Sequence, residues 1–161
     1  MNTNFSLKEK YWKPGNVLVT VGNDLCPGLF RREYYIVKND GLAYPCNKKV
    51  DKWWHTISED DYNESLDCTL EGDIKKYWHI VEVYCPICIF SKSDWMSDNV
   101  MQTSGDLFYG CLDDGRALEL NGNGGFLEKD DYKDDLTLTT YPRSWDIARI
   151  YKCELRKDIK L

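Results

Sequence analysis

The sequence predicts a mainly β protein made of two tandem, diverged small β-barrel units of the SH3-like kind, packed together, with short helical turns at two acidic blocks. Short β-branched and aromatic runs alternate with turn signals about every 8 to 12 residues, a spacing typical of barrels and sandwiches. The chain also has eleven Tyr, six Trp and five Phe, and large rings suit half-buried strands. Finally, two sequence blocks occur twice in the same order, which indicates a repeated structural unit.

The repeat consists of an acidic block followed by a strand. Residues 57–66 (ISEDDYNESL) match residues 127–136 (LEKDDYKDDL), and residues 78–84 (WHIVEVY) match residues 145–151 (WDIARIY). Positions that the two copies share are expected to build the fold. Positions at which they differ are the places to look for function.

The repeat also sets the predicted domain boundaries. We predict a first β unit at 11–86 and a second β unit at 94–154. A polar N-terminal arm at 1–10 and a polar C-terminal tail at 155–161 flank them. The arm is expected to be loosely held because it is terminal and polar.

Four strands are predicted in the first unit from β-branched or aromatic runs, at residues 16–21, 32–37, 41–44 and 77–85. The dipeptide Asp40-Gly41 joins the second and third of these as a hairpin, since Gly tolerates a positive φ. Ser58, followed by Asp61 three residues later, forms a capping box and predicts a short helical turn.

The second unit repeats this order in a shorter form. Its predicted strand segments begin at Asn99 and continue at 106–112, 117–120 and 145–151. A Gly-rich loop at 121–125 has no counterpart in the first unit, and ordering so many Gly residues is costly in entropy.

The last strand of each unit is predicted to be central in the sheet because both of its faces are largely apolar. Glu82 and Arg149 occupy equivalent positions in these strands and carry opposite charges. An ion pair across a pseudo-twofold axis and independent exposure to solvent are both consistent with this arrangement.

Composition excludes several classes of partner. The net charge of −6 and pI near 5.0 argue against general nucleic-acid binding, which needs clustered Lys and Arg. The amino terminus has no apolar leader segment and no stretch reaches membrane-spanning length, so we expect a cytoplasmic protein without membrane contacts. Seven Cys residues, an odd number, indicate reduced thiols rather than a disulfide framework.

Two patterns are candidates for metal ligands. Cys85 and Cys88 have the spacing of a zinc knuckle, but a second Cys-x-x-Cys pair is missing and buried free thiols explain them as well. The acidic blocks at 57–66 and 127–136 lack the alternating order of a calcium loop, and acidic residues in a solvated helical turn account for them. We therefore predict no metal and no cofactor.

Catalytic motifs are absent from the sequence. The two His residues, His55 and His79, do not lie in any hydrolase or zinc-binding pattern. For binding, the useful residues are aromatic groups beside cations on predicted loops, since Arg forks suit phosphates and exposed rings stack on bases. The candidate ligand-binding residues are Arg31, Arg32, Trp53, Trp54, His55, Arg116, Tyr141 and Arg143. Solvated Arg residues and a Trp that plugs a barrel end are the structural alternative.

The closing segments at 132–137 and 145–151 resemble the ending of small accessory proteins of phages and prophages of Gram-positive bacteria. In those proteins a Tyr-Asn-Asp-Asp-Leu-Thr-like segment precedes Asp-Ile-Val-Lys-Val-Tyr. The first unit departs from this pattern, with His79 where Asp146 stands. The family offers no catalytic residues to transfer, and the resemblance implies an accessory protein that counters defence in the host cytoplasm.

Three functions follow as hypotheses from this resemblance. In the first, the protein is not an enzyme and sequesters a nucleotide-derived immune signal. In the second, its acidic aromatic surface binds and blocks a host defence protein. In the third, it hydrolyses a nucleotide signal. The sequence leaves homo-oligomerisation open.

Overall fold

The computed structural model describes residues 6–22, 32–72, 77–122, 124–138 and 143–157. The described residues contain a short helix, α1 at Leu7–Tyr11, and ten strands. The strands are β1 Val17–Thr20, β2 Glu33–Val37, β3 Leu42–Pro45, β4 Ile57–Ser58, β5 Ile80–Pro86, β6 Val100–Thr103, β7 Phe108–Cys111, β8 Arg116–Glu119, β9 Phe126–Glu128 and β10 Ile147–Arg156.

All ten strands belong to one antiparallel sheet with the order β4-β3-β2-β1-β5-β10-β6-β7-β8-β9. The prediction of a mainly β protein is therefore confirmed. The predicted pair of barrels is not confirmed, because the sheet is open and ends at β4 and β9. Each half nevertheless has the same strand order, counted outward from the central pair β5 and β10, and these are the two strands predicted to be central.

Hydrogen bonds repeat between the halves at the acidic blocks. Each block carries a 3₁₀ turn, at Glu59–Asp61 and at Lys129–Asp131, as the sequence predicts. The Tyr that follows the turn donates its hydroxyl hydrogen to a main-chain carbonyl, from Tyr62 to Trp78 at 2.6 Å and from Tyr132 to Trp145 at 2.7 Å. The shared acidic motif is thus an anchor for the approach to the last strand of each half.

The buried side chains form three clusters rather than two. One lies within the first half around Leu18 and one within the second half around Met101. The third joins side chains from both halves, among them Val17, Val81 and Tyr151. Because all these strands belong to one sheet, the sheet curls around this shared cluster. Strand β1 and the first five residues of β5 are buried on both faces, whereas β10 keeps Ala148 and Arg149 exposed, so its expected coverage on both faces is wrong.

A β-bulge occurs at the same place in both central strands. Val81 is the extra residue where β5 pairs with β1, and Ala148 is the extra residue where β10 pairs with β6. Each bulge shifts the alternation of side chains by one residue. Val81 and Tyr84 therefore reach the shared cluster while Ile80 and Val83 reach the core of the first half.

Two Asn side chains connect the halves. Asn47 follows β3, and its amide group donates to the carbonyl oxygens of Phe108 at 2.7 Å and Leu120 at 2.8 Å. Asn121 follows β8 and donates in the opposite direction, to the carbonyl oxygens of Tyr34 at 2.9 Å and Cys46 at 3.1 Å. The two halves are therefore joined by reciprocal hydrogen bonds at a seam beside the shared cluster.

Several local details differ from the sequence prediction. Residues 7–10 of the predicted loose arm belong to helix α1, because Ser6 caps the helix and Leu7 packs on the core of the first half. Strand β10 continues to Arg156, two residues beyond the predicted unit, and Leu155 packs on that same core. No helix in the described part of the chain is long and apolar enough to cross a membrane.

For Glu82 and Arg149, the structure matches neither the ion pair between them nor the exposure of both side chains. Glu82 is only 3% exposed, and it forms ion pairs with Arg32 and Arg156. Arg149 is exposed. A carboxylate at this depth needs such partners, because an unpaired buried charge is strongly unfavourable.

Candidate functional site

A cavity of about 440 Å³ lies at the seam between the halves. The first half contributes Arg32, Tyr34, Lys48, Trp54 and Tyr84 to its lining, and the second half contributes the stretches 98–100, 110–112 and 118–122. This volume is within the range of small-molecule sites, about 300 to 1,000 Å³. The cavity therefore has the size for a ligand and combines rings with charged groups.

An ion network around the buried carboxylate of Glu82 supports one end of the cavity. The guanidinium of Arg32 pairs with the carboxylate of Glu82, and Arg156 pairs with the same carboxylate at 3.1 Å. Tyr84 donates its hydroxyl hydrogen to Glu82 at 2.9 Å. These contacts hold Arg32 and Tyr84 in place, so this end of the cavity is pre-organised.

The two Tyr residues of the lining stay neutral at physiological pH. Burial raises the pKa of Tyr34, and the positive charge of Arg32 offsets part of that rise. Burial also raises the pKa of Tyr84. The carboxylate of Asp98 lies near enough to raise both pKa values further, so both phenols are hydrogen-bond donors rather than phenolates.

Lys48 and Trp54 come from a loop that is closed by a single Asp. Asp51 accepts hydrogen bonds from the main-chain N–H groups of Trp53 at 2.7 Å and Trp54 at 2.8 Å. Both hydrogen bonds lower the pKa of Asp51, and the bond from Trp54 has the larger effect. The Lys48 ammonium lies 5.8 Å from the centre of the Trp54 ring. The loop thus presents a ring and a cation together at the cavity.

The two halves differ at one position of the cavity wall. Gly110 pairs with Val100 and Leu118 in the second half. By the same register, Ile36 pairs with Val17 and Tyr44 in the first half. A Gly within a strand often marks a place where another group approaches closely. Here that group is the Leu120 side chain, whose Cδ2 lies 3.2 Å from the position that a Cβ atom of Gly110 would take, and both residues line the cavity.

The predicted binding residues are not all brought together. Arg32 and Trp54 line the cavity. Trp53 is 77% exposed beside Lys52, and His55 is exposed, so neither belongs to the lining.

The remaining predicted residues lie elsewhere. Arg116 pairs with Asp114 and stacks over Phe126, and Arg143 pairs with Asp146 at 3.6 Å. Arg31 and Tyr141 lie outside the described residues. Sequence reasoning missed six charged or aromatic residues of the lining, which are Glu33, Tyr34, Lys48, Tyr84, Asp98 and Glu119. The signal that points to them is the isolated Gly110 in a strand pattern.

The Cys residues do not form a metal centre within the described residues. No group of three or more His, Cys, Asp or Glu side chains there could hold a metal ion. Cys88 is exposed, and burial raises the pKa of Cys85 to about 11. Cys111 lines the cavity as a thiol, since burial raises its pKa to about 12.

Comparison with known proteins adds no relative. No protein-family model, curated protein or solved structure matches the chain.

Proposed function

We propose that the protein binds and sequesters a nucleotide-derived small molecule without transforming it. The observation that carries this proposal is the cavity at the seam, which both halves line with charged and aromatic side chains. The fold does not need an open space of this size, since cavities lower stability.

The chemistry of the lining fits a nucleotide. The Trp54 ring provides a stacking surface for a base. Lys48 provides positive charge for a phosphate. The neutral hydroxyl group of Tyr34 adds a hydrogen-bond donor for a sugar or a phosphate oxygen.

The resemblance of the C-terminal segment to phage and prophage accessory proteins gives this binding a biological setting. In that setting the protein acts in the host cytoplasm, where it binds an immune signal and lowers the concentration of the free signal. We also keep as a proposal that each half is a diverged SH3-like unit. The identical strand order on the two sides of the central pair supports it.

Isothermal titration calorimetry tests the proposed binding. The panel contains mononucleotides, cyclic nucleotides and ADP-ribose derivatives. We expect saturable binding of at least one compound, and weaker binding in Gly110→Val, whose side chain displaces Leu120 at the cavity wall. Ile36→Val is the matched control, since it changes the equivalent position outside the cavity and is expected to keep binding. Absence of binding across the whole panel overturns the proposal.

The same complexes distinguish sequestration from hydrolysis. After prolonged incubation the protein is denatured and the small molecule is analysed by chromatography. Recovery of intact ligand is the expected result. If the molar amount of hydrolysed ligand exceeds that of the protein, the protein is an enzyme instead.

A second candidate function is the blocking of a host defence protein, and exposed apolar side chains favour it. Trp53 is 77% exposed and Ile89 is 91% exposed, while rings at protein interfaces often contribute most of the binding energy. A pull-down from host lysate with the wild type and with Trp53→Ser tests this candidate. A specific partner that the wild type retains and the variant loses supports it, and no stable partner counts against it.

A further inference from the structure

We infer that the ligand is a nucleotide whose base carries an amino group, with its phosphate at Lys48 and the amino edge of its base at Glu119. This inference rests on the proposed function and names the class of ligand for the same cavity. A guanine base fits best, because its ring N–H and amino group present two parallel donors to the two oxygens of one carboxylate.

Lys48 and Glu119 lie on opposite sides of the seam and are both held by it. Lys48 directly follows Asn47, whose side chain is bonded to Phe108 and Leu120 of the second half. Glu119 lies two residues before Asn121, which is bonded back to the first half. The two charges therefore belong to the same cavity and have positions fixed by the contact between the halves.

Neither charge is neutralised by an opposite charge of the described residues, although the Lys48 ammonium lies over the Trp54 ring. Among the ion pairs of the described residues, none includes Lys48 or Glu119. Glu33, another acidic residue of the lining, already accepts a hydrogen bond from the Tyr35 hydroxyl at 2.7 Å. Opposite charges that line one cavity without pairing are available to a ligand that carries both an anion and hydrogen-bond donors.

The Gly-rich loop is shaped around the carboxyl group of Glu119. A Cβ atom at Gly122 would lie 2.6 Å from the Cδ of Glu119, and one at Gly125 would lie 2.7 Å from its Oε2. These distances are shorter than real side chains tolerate, so Gly is required at both positions for the carboxyl group to lie where it does. Gly122 itself lines the cavity. The loop therefore places an acceptor beside the ligand space.

Neither charge is repeated at the equivalent position of the other half. By strand register Glu119 corresponds to Pro45, since each pairs with the equivalent Tyr of the neighbouring strand, Tyr109 or Tyr35. Lys48 follows Asn47 as Gly122 follows Asn121, so the position of Lys48 is a Gly in the other half. Each half thus contributes one charge to the cavity that the other half does not repeat at its equivalent position.

Asp98 limits where the phosphate can lie. Its negative charge acts on Tyr34 and Tyr84, at the end of the cavity that Arg32 and Glu82 support. A phosphate there meets repulsion from Asp98, whereas Lys48 offers an unpaired ammonium beside the Trp54 ring. The base, stacked on Trp54, then directs its polar edge toward the second half.

Calorimetry with GMP, AMP, CMP, UMP and guanosine tests the inference on the wild-type chain and four variants. We expect GMP to bind at least about tenfold more tightly than UMP, which lacks the amino group, because a charge-assisted hydrogen bond is worth about that factor. Glu119→Gln is expected to reduce this ratio to below about threefold. Lys48→Met is expected to weaken GMP by about tenfold while leaving guanosine unchanged.

Matched controls separate these effects from a general change of charge. Glu128→Gln removes an exposed carboxylate in β9, and Lys49→Met removes the exposed ammonium next to Lys48. Both are expected to bind GMP as the wild type does. Circular dichroism and thermal unfolding verify that each variant is folded before its titration is interpreted.

The outcomes distinguish this inference from the proposed function. If no compound in the wider panel binds, the proposed function is overturned. If nucleotides bind but GMP and UMP bind equally, or if Glu119→Gln leaves their ratio unchanged, the proposed function stands and the inference about the base is wrong. If Lys48→Met weakens GMP no more than Lys49→Met does, the assignment of the phosphate is wrong.

Discussion

At the scale of single residues, the seam depends on two Asn residues in an unusual backbone conformation. Asn47 has a φ of 61° and Asn121 a φ of 54°, in the left-handed region that Asn tolerates better than most residues. In both cases the side chain reaches the main chain of the other half. The side-chain Oδ1 of Asn47 also accepts a hydrogen bond from the Phe108 N–H at 2.7 Å. Local conformation and long-range contact are therefore combined in one residue.

Asn47→Gly removes these hydrogen bonds while relieving any backbone strain. We expect the free energy of unfolding to fall by about 1 to 3 kcal/mol, because partly buried carbonyl and N–H groups lose their partners. Asp106→Gly is the control, since Asp106 also has a positive φ, of 65°, but is exposed. It is expected to change stability by less than about 0.5 kcal/mol in urea denaturation. Equal losses in the two variants contradict the role assigned to the Asn47 side chain.

At the scale of elements, each acidic block anchors a last strand through one Tyr. The Tyr62 ring lies 5.3 Å from that of Trp12, and the Tyr132 ring lies 5.1 Å from that of Trp95. The hydroxyl groups then bond to the main chain before β5 and β10. The structural role that the two blocks share therefore lies in their Tyr residues.

Tyr62→Phe and Tyr132→Phe are each expected to lower the free energy of unfolding by about 1 kcal/mol, since a part-buried carbonyl loses its donor. The similarity of the two losses is the point of the measurement, made by thermal or urea unfolding. Tyr44→Phe is the control, because its hydroxyl bonds to the exposed Asp40 and its loss should be smaller. A large loss at only one of the two anchoring Tyr residues contradicts an equivalent role.

The sequence predicts the elements better than it predicts their assembly. β-branched runs identify the strands around Val19 and Val83, because local composition and strand burial agree there. The curling of the open sheet around a shared cluster depends on contacts between residues far apart in the chain, such as Val17 and Tyr151. No local pattern encodes that pairing. The sequence does not predict the helix that includes Leu7 for a similar reason. The helix is stabilised by packing on a core whose residues come later in the sequence.

The candidate site was predicted only in part for the same physical reason. Arg32 and Trp54 are visible as a cation and a ring on predicted loops. Lys48 and Glu119 become notable only when the two halves face each other across the seam. Gly110 could be interpreted only after its register showed that Ile36 is its counterpart.

At the scale of the whole molecule, stability comes from three cores that share strands. Leu18 in β1 packs into the core of the first half, while its neighbours Val17 and Val19 pack into the shared cluster. Loss of either half therefore exposes apolar side chains of the other, at roughly 25 cal/mol per Å². The molecule is expected to unfold as a unit.

The exposed carboxylates determine how this stability depends on pH. Hydrogen bonds lower the pKa of Asp67, mainly through Lys157, and of Asp135, mainly through the Thr137 hydroxyl. The pKa values of Asp40, Asp51 and Asp114 are lowered in the same way. A carboxyl group whose folded pKa lies below its unfolded value contributes stability above the unfolded pKa and loses that contribution as pH falls through the folded pKa.

We therefore expect the unfolding temperature to stay level between about pH 7 and pH 5 and to fall below about pH 4. Differential scanning calorimetry across this range measures it. In Asp67→Asn the decline should be shallower, since Lys157 no longer bonds to a titrating group. A decline that begins near neutral pH, or one that is unchanged in Asp67→Asn, contradicts the assignment.

The reciprocal Asn contacts have a consequence for how freely the two halves can vary. Asn47 and Asn121 recognise carbonyl and N–H groups of the main chain, and every residue type offers the same carbonyl. Substitutions at Tyr34 or Phe108 alter the shared cluster but leave the groups that the Asn side chains recognise. The two halves can therefore lose resemblance in sequence while remaining joined in the same register. The second half can therefore have Gly110 where the first half has Ile36, and each half can carry a charge, Lys48 or Glu119, that its counterpart lacks.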